Sequence, residues 1–412
     1  MGLEPTTSTH DLIVVGAGIS GLSLASRAVA SGRRVLVVDK AEEAGGCLAT
    51  TRVQAGSESF WQELGAHTCY NSYANLISLI EERSLVDRIL GRLKLGFFVR
   101  VGGKLRSIPS QLNAFELLVS VPRLFTSSRV GRTVASYYGS IVGSGNYDRV
   151  FGALFDAVAC QDTREFGAEF LFKKRPGRRK DFRRSFTLAG GVKTVAEALA
   201  SQPGLTVETG SGVEAISRTN DGFSLRLENG QVRVSRAIAL AVPPPEAARL
   251  VEPMVPDAAR LLAAIRMNPL YSVGVAVRRD RVAMRPLAGI VSSGDRFYSV
   301  VSRDVVPDST LRGFTFHFRD DDMASNLTRI EEVLGVPRAD FQNLVVKENA
   351  LPSLGTAHAD SMRRLDTLMA DTGVLLAGNY FLGLSIEDCV TRSFALAAQI
   401  DRLLSGRPAV EA

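Results

Sequence analysis

Leu12-Ile13-Val14-Val15-Gly16-Ala17-Gly18-Ile19-Ser20-Gly21 is the stretch on which the fold turns. Its four leading apolar residues read as a buried strand, the glycines as a tight turn, and the Ala/Leu-rich run that follows to Ala30 has helical spacing. Gly32 supplies a helix stop, and Arg33-Arg34-Val35-Leu36-Val37-Val38-Asp39 reads as a second buried strand ending on an acid. Each glycine has its own task in such a βαβ unit. Gly16 allows the turn out of the strand, Gly18 lets backbone amides approach a pyrophosphate, and Gly21 lets the helix lie close to the sheet. The helix N-terminus then offers free N–H groups and the positive end of its dipole to the phosphates. Asp39 stands eighteen residues after Gly21, where it can accept hydrogen bonds from ribose hydroxyls. The unit predicts dinucleotide binding, with Ala17, Ser20 and Lys40 in the same turn and strand end.

Two further segments favour an extended cofactor, FAD, over a nicotinamide. Gly45-Gly46, with Cys47 after it, lets the chain pass close to the cofactor a second time. Near the other end, Leu375-Leu376-Ala377-Gly378-Asn379-Tyr380 through Ile386 to Cys389 reads as strand, glycine-containing loop and helix start. A helix N-terminus there can face a flavin pyrimidine edge and stabilise the charge that builds on reduction; an ordinary strand-to-helix connection is the plainer alternative.

Between these ends the pattern changes twice. Residues 76–184 are mainly helical in spacing, broken by Pro109, Pro122 and Gly-Ser turns, and read as a helical insertion. Strand signals return at Leu205–Ile216, Phe223–Glu228 and Val232–Ala241, with a domain edge at Pro243-Pro244-Pro245. Alternating stretches at Tyr271–Val277, Phe297–Val301 and Gly313–Phe318 predict a second, largely antiparallel sheet. The expected architecture is α/β: a Rossmann-like FAD domain from 1–75, 185–245 and 365–412, a mixed-sheet substrate domain at 246–364, and the insertion at 76–184.

Composition narrows the partners. The 412 residues carry 49 basic and 43 acidic side chains, a net charge of +6, which mildly favours anionic partners. Eight cations fall within the twelve positions Lys173–Arg184. The run reads as a solvated loop first, and otherwise as a site for a peripheral anionic membrane surface or an acidic redox partner. It lacks interleaved aromatics through its centre, so nucleic acid is not expected. The four cysteines form no CxxC pair and the histidines no ligand spacing, so no metal is expected. With no secretory pattern in Met1–Asp11 the expected setting is cytoplasmic, peripheral on the inner membrane face if the basic run docks there. Cys389 at a helix start reads as a buried thiol before an activated one, and Tyr380 and Phe381 as pocket wall or core. His67 is placed to lie over a flavin, His317 as a packed or surface strand residue.

The order of motifs resembles the flavin amine oxidase superfamily, and within it the protoporphyrinogen oxidase branch. The first βαβ, Gly45-Gly46, Phe186–Val192, Gly212-Val213, Ala239–Pro243, Leu351-Pro352 with His358, and Ala377–Cys389 carry the likeness over nearly the whole chain. Arg100–Leu105, Ile108–Ser110 and Phe172–Pro176 add the branch. The resemblance implies that Gly16, Gly18 and Gly21 hold the pyrophosphate and Asp39 the adenosine ribose. It also implies that Val213 meets adenine through its backbone, that Gly65-Ala66-His67 runs beside the isoalloxazine, and that Gly378, Asn379 and Ile386 flank the flavin. Asp39 stands where glutamate is usual, and Arg392-Ser393 replaces a Ser-Gly pair. The implied reaction is hydride removal from a carbon next to nitrogen of a small-molecule substrate, delivered to flavin N5, with no essential acid or base named. An amine oxidase or desaturase of a specialised metabolite, and a flavin-binding protein without turnover, are the alternatives.

Overall fold

The strand β1 (Thr9–Val15), the helix α1 (Ile19–Ala30) and the strand β2 (Val35–Val38) form the predicted unit in the computed structural model, which describes residues 9–55, 58–292 and 294–405. Residues 1–8 of the segment read for targeting signals lie outside that range. β1 and β2 run parallel, in register from Leu12 against Val35 to Val15 against Val38. All four β2 residues are buried, because helices cover both faces of a parallel sheet. Leu205–Glu208 extends the sheet beyond β2, and Val232–Leu240 pairs parallel with β1 on its other side. The hairpin Val213–Thr219 with Gly222–Leu227 continues it antiparallel. Val374–Leu376 adds a parallel strand against Ile238–Leu240, so the sheet is built from both ends of the chain. The last helix, Ile386–Ser405, packs on α1 through Leu22, Ala25, Val390, Leu396 and Ile400, and Ser393 Oγ donates to the Ser20 carbonyl at 2.7 Å. On the opposite face lie the helices 244–251, 256–263 and 358–369, with Leu250, Leu262 and Leu365 in that core.

A second seven-stranded sheet runs in the order 341–352, 267–278, 311–318, 297–302, 289–292, 97–101 and 104–107. It packs Val273, Phe314, Phe316 and Phe318 against the helix Met323–Leu334. The strand Leu311–Phe318 is buried along its whole length rather than on alternate residues. Its other face meets the hairpin β3 (Thr50–Ala55) and β4 (Glu58–Glu63), which crosses from the first sheet. Glycines permit this approach: a Cβ on Gly274 would fall 2.5 Å from Leu64 Cδ2, and one on Gly313 2.9 Å from Phe60 Cζ. Gln62 Nε2 donates to Thr315 Oγ1 at 2.9 Å, which donates to the Glu63 carbonyl at 2.6 Å. These bonds fix the end of β4 between the two sheets.

The 76–184 region departs from the helical expectation. It holds the helices Ala114–Ser120, Val134–Val142 and Gly152–Ala159, yet also the strands Ile89–Gly91, Phe97–Val101 and Lys104–Ser107. Gly102 and Gly103, at φ +56° and +77°, make the tight turn of a hairpin that joins the second sheet through Phe97–Val101 and Gly289–Ser292. The basic run is also less solvated than expected. Arg175 Nη2 and Lys173 Nζ reach Asp388 Oδ1 at 3.0 and 3.5 Å, and Arg179 pairs with Glu81 and Asp181 at 2.6 Å each. Three of the eight cations thus pin the loop to the last helix and to the helix Ala74–Glu82. Among the described residues no helix is long and apolar enough to cross a membrane.

Candidate active site

Gly16 leaves β1 at φ +108°, and a Cβ there would fall 2.5 Å from the Ala241 carbonyl oxygen. Gly21 is tighter still: its Cβ would lie 1.9 Å from the Gly16 oxygen, so only glycine lets α1 sit this close to the turn. Gly18 caps α1 at φ −78°, ψ 177° without a side-chain capping bond, which leaves first-turn N–H groups free for an anion. The second glycine pair closes over the first. Gly45 N donates to the Ala17 carbonyl at 2.9 Å, Gly18 and Gly45 form a parallel bridge, and Gly46 at φ +58° passes within 3.1 Å, measured from an ideal Cβ, of Gly18 Cα. Gly65 passes equally close to Cys47: a Cβ would meet the Cys47 oxygen at 2.2 Å. The result is a glycine-walled cradle for a long, negatively charged nucleotide. Cys47 and Lys40 are both exposed.

Asp39 is more occupied than its sequence position suggests. Its Oδ2 accepts from Ala17 N at 2.5 Å and its Oδ1 from Ala41 N at 2.8 Å, so the shorter acid braces the glycine turn. Each oxygen keeps a further lone pair for a ribose hydroxyl. The loop before Val213 lies against this acid, with Ser211 N donating to the Asp39 carbonyl at 3.1 Å. The Val213 side chain is buried in the core, and its carbonyl accepts from Arg249 Nη2 at 2.6 Å. Ser20 is tied to the last helix through its carbonyl rather than pointing into the cradle alone. At the far end Gly378, at φ +151°, carries the chain from the strand Val374–Leu376 into a turn holding Asn379. Ile386, buried, opens the last helix behind Ser385, whose Oγ accepts from Asp388 N at 3.0 Å. Glu387 turns away and accepts from Asn75 N and Leu76 N, both at 3.0 Å, capping the next helix.

Between β4 and the second sheet lies a cavity of about 30 Å³ lined by Trp61–Glu63, His67, Arg92, Thr187, Val301–Arg303, Val305, Val306 and Thr315. Burial shifts the titratable groups in its wall, and His317 close to it. Burial, with Arg92 and His317 adding repulsion, takes His67 down to about 3, and burial takes His317 to about 4. Both imidazoles are neutral; His67 Nδ1 contacts Thr68 Oγ1 at 2.8 Å and His317 Nδ1 contacts Ser272 Oγ at 3.0 Å. Burial raises Glu63 to about 7 although Thr50 Oγ1 and Val192 N both donate to it, at 2.6 and 2.7 Å. The two imidazoles are thus poor bases near neutral pH, whereas Glu63, raised to about 7, can exchange a proton there.

Residues 19–400 match the family model for flavin containing amine oxidoreductases. The chain belongs to that family. Curated relatives of the chain include the coproporphyrinogen III oxidase of Propionibacterium freudenreichii subsp. freudenreichii, 25% identical over 98% of this chain and 93% of that protein. The chloroplastic protoporphyrinogen oxidase of Nicotiana tabacum is 22% identical over 96% of this chain and 86% of its own length. In three dimensions the fold is similar to a crystal structure provisionally assigned as a protoporphyrinogen oxidase from Exiguobacterium sp. 255-15. That match has a TM-score of 0.74 at 19% identity, covering 96% of this chain and 99% of that one.

The cofactor of this flavin-containing oxidoreductase is FAD, and the cradle fits it: the turn after β1 and the loop that closes over it meet through Gly16, Gly18, Gly21, Gly45 and Gly46, with little side chain between them. Other sequence expectations resolve into packing. Tyr380 is fully buried, Phe381 is 4% exposed, and both sit in the core, with the Arg392 guanidinium 3.9 Å over the Phe381 ring. Arg392 also binds the Leu376 carbonyl and Asp366, which gives the departure from the family's small pair a structural task. Burial pushes the Cys389 thiol up to about 12, so it is a core thiol. His358 contacts the Tyr380 carbonyl through Nε2 and is likewise structural. Sequence reading missed Arg92 and Arg303; nothing local distinguishes them, and only the fold brings them to one cavity.

Proposed function

We propose that this FAD-dependent oxidoreductase oxidises a porphyrinogen, the substrate class its curated relatives' names describe, by removing hydride from a substrate carbon. The observation that carries the reading is the span of the likeness: two porphyrinogen oxidases align with nearly all of this chain, insertion and both sheets included. Pyrophosphate contacts fall to Gly16, Ala17, Gly18 and Gly21 with Gly45 and Gly46, the ribose to Asp39 and the adenine to the Val213 backbone. The flavin ring lies between Gly65-Ala66-His67 and Gly378, Asn379 and Ile386.

FAD, when bound, supplies the two-electron acceptor. The protein supplies orientation, exclusion of water and a positive helix end. Neutral His67 and His317 support this division of labour, since neither takes up a proton near neutral pH. The test is anaerobic addition of coproporphyrinogen III or protoporphyrinogen IX to the purified holoenzyme. Bleaching of the flavin is expected, followed, once oxygen is admitted to reoxidise the flavin for the further two-electron turnovers a porphyrin requires, by a rise in porphyrin fluorescence. A holoenzyme that bleaches with neither, yet is reduced by dithionite, refutes the substrate assignment and leaves the flavoprotein assignment standing.

A further inference from the structure

Among the described residues four buried polar atoms of the cavity lining find no hydrogen-bond partner: three that can donate, Thr187 Oγ1, Arg92 Nε and Arg303 Nη1, and the acceptor Gln62 Oε1. Gln62 and Thr187 are each 2% exposed, so water at the surface does not explain them. The two arginines arrive from distant parts of the chain. Arg92 follows the strand Ile89–Gly91 and Arg303 follows the strand Phe297–Ser302, and a bond of 2.7 Å from Leu93 N to the Val305 carbonyl holds the segments side by side. Arg303 donates through Nε to the Trp61 carbonyl at 3.1 Å and stacks 3.9 Å over the Trp61 ring. Arg92 donates through Nη1 to Thr68 Oγ1.

Among the described residues neither guanidinium has an ion pair, and the nearby carboxylates are committed elsewhere. Glu63 takes Thr50 and Val192 N, Asp308 takes Thr310 N and Leu311 N, and Asp304 takes Leu287 N and Arg312. The contrast with Arg312 is instructive. That guanidinium, nine residues from Arg303, is paired with Asp304 at 2.9 and 2.6 Å. Two unpaired cations facing one cavity lose hydration, and burial pulls both below the ordinary arginine range, Arg303 to about 10. An anion would offset that cost for both. The cavity's roughly 30 Å³ exceeds the ~10–15 Å³ one water needs and suits a carboxylate group rather than a ring.

We propose that Arg92 and Arg303 form a pocket for one carboxylate of the substrate, with Thr187 as a third donor. The inference rests on the reading that Gly65–His67 flank the flavin, since His67 shares the cavity wall. A carboxylate fixed there sets which carbon of a larger substrate meets the ring, so the two arginines select anionic substrates over amines.

The holoenzyme is titrated with acetate and, at matched ionic strength, with acetamide, reading the flavin spectrum and the thermal midpoint. Saturable perturbation and a raised midpoint with acetate alone are expected. Arg303→Gln and Arg92→Gln should each weaken acetate about tenfold or more, and Arg303→Lys, which keeps charge without the planar fork, should weaken it less. Without acetate, Arg303→Gln should melt no lower than the parent, because it removes an uncompensated charge. Equal responses to acetate and acetamide, or an unchanged acetate titration in Arg303→Gln, overturn the pocket. A second arm compares coproporphyrinogen III with its tetramethyl ester. Arg303→Gln should lower kcat/KM about tenfold for the acid and leave the ester unaffected. If the variant loses acetate binding but oxidises acid and ester as the parent does, the pocket serves free anions and the substrate assignment is overturned. If no form oxidises a porphyrinogen while acetate binding persists as expected, the porphyrinogen reading fails and the carboxylate pocket is upheld.

Discussion

Replacing Gly18 with alanine separates the cofactor's demands from those of the fold. An ideal Cβ on Gly18 meets only Gly46 Cα, at 3.9 Å, and the backbone there, φ −78° and ψ 177°, is open to any residue. The apoprotein should therefore tolerate the methyl group. Alanine is a poorer helix cap than glycine but leaves a less flexible unfolded chain, and the two effects should cancel to within about 1 kcal/mol. A bound pyrophosphate changes the outcome, because the methyl group occupies the space through which phosphate oxygens approach the first-turn N–H groups of α1. Loss of one charge-assisted hydrogen bond, about 1.5–3 kcal/mol, corresponds to FAD binding weakened about 10- to 100-fold. Gly21→Ala is the control in the opposite sense. With its Cβ 1.9 Å from the Gly16 oxygen it must displace α1, so it should lower apoprotein stability as well as affinity. The assay is titration of stripped protein with FAD by fluorescence quenching, beside denaturant unfolding of each apoprotein. Gly18→Ala protein that binds FAD as tightly as the parent would refute the placement of the pyrophosphate.

The remaining expectations concern buried charge. Glu63 is 8% exposed and raised from 4.5 to about 7, so between those pH values the unfolded chain releases a proton that the native state retains. Stability should fall by up to about 3 kcal/mol as pH rises across that window, and Glu63→Gln should flatten the dependence; parallel unfolding-versus-pH curves for the two proteins would count against it. Arg312→Met strands the Asp304 carboxylate and should cost about 3–5 kcal/mol in chemical denaturation, whereas Arg312→Met with Asp304→Leu should recover most of the loss. Equal stabilities of single and double variants would show the pair to be unimportant.

The elements legible in the sequence are those whose signals are local. β1, α1 and β2 announce themselves by an apolar run, three spaced glycines and a terminal acid, and the C-terminal strand, loop and helix by the same grammar. Phe97–Val101 was not legible, because it is short, half exposed and pairs with Gly289–Ser292 far along the chain. Alternation in Gly313–Phe318 predicts a strand of an antiparallel sheet but not its cover: β4 buries the second face, which the absent side chains of Gly274 and Gly313 allow. Arg92 and Arg303 were invisible for a related reason: an arginine's significance here lies in having no carboxylate opposite it, and that is a property of tertiary structure alone.

The strand Val374–Leu376 and the helix after it also constrain the order of events during synthesis. The ribosome makes the glycine turn well before its covering helix, and until residues 374–405 emerge, Ile238–Leu240 lack a neighbour on one side and α1 has a bare apolar flank. Cofactor loading thus waits for residue 405, since domains close only when all their segments exist. A product broken off before that strand would be a sticky, colourless intermediate with an open sheet edge, a target for chaperones and proteases rather than a slow enzyme.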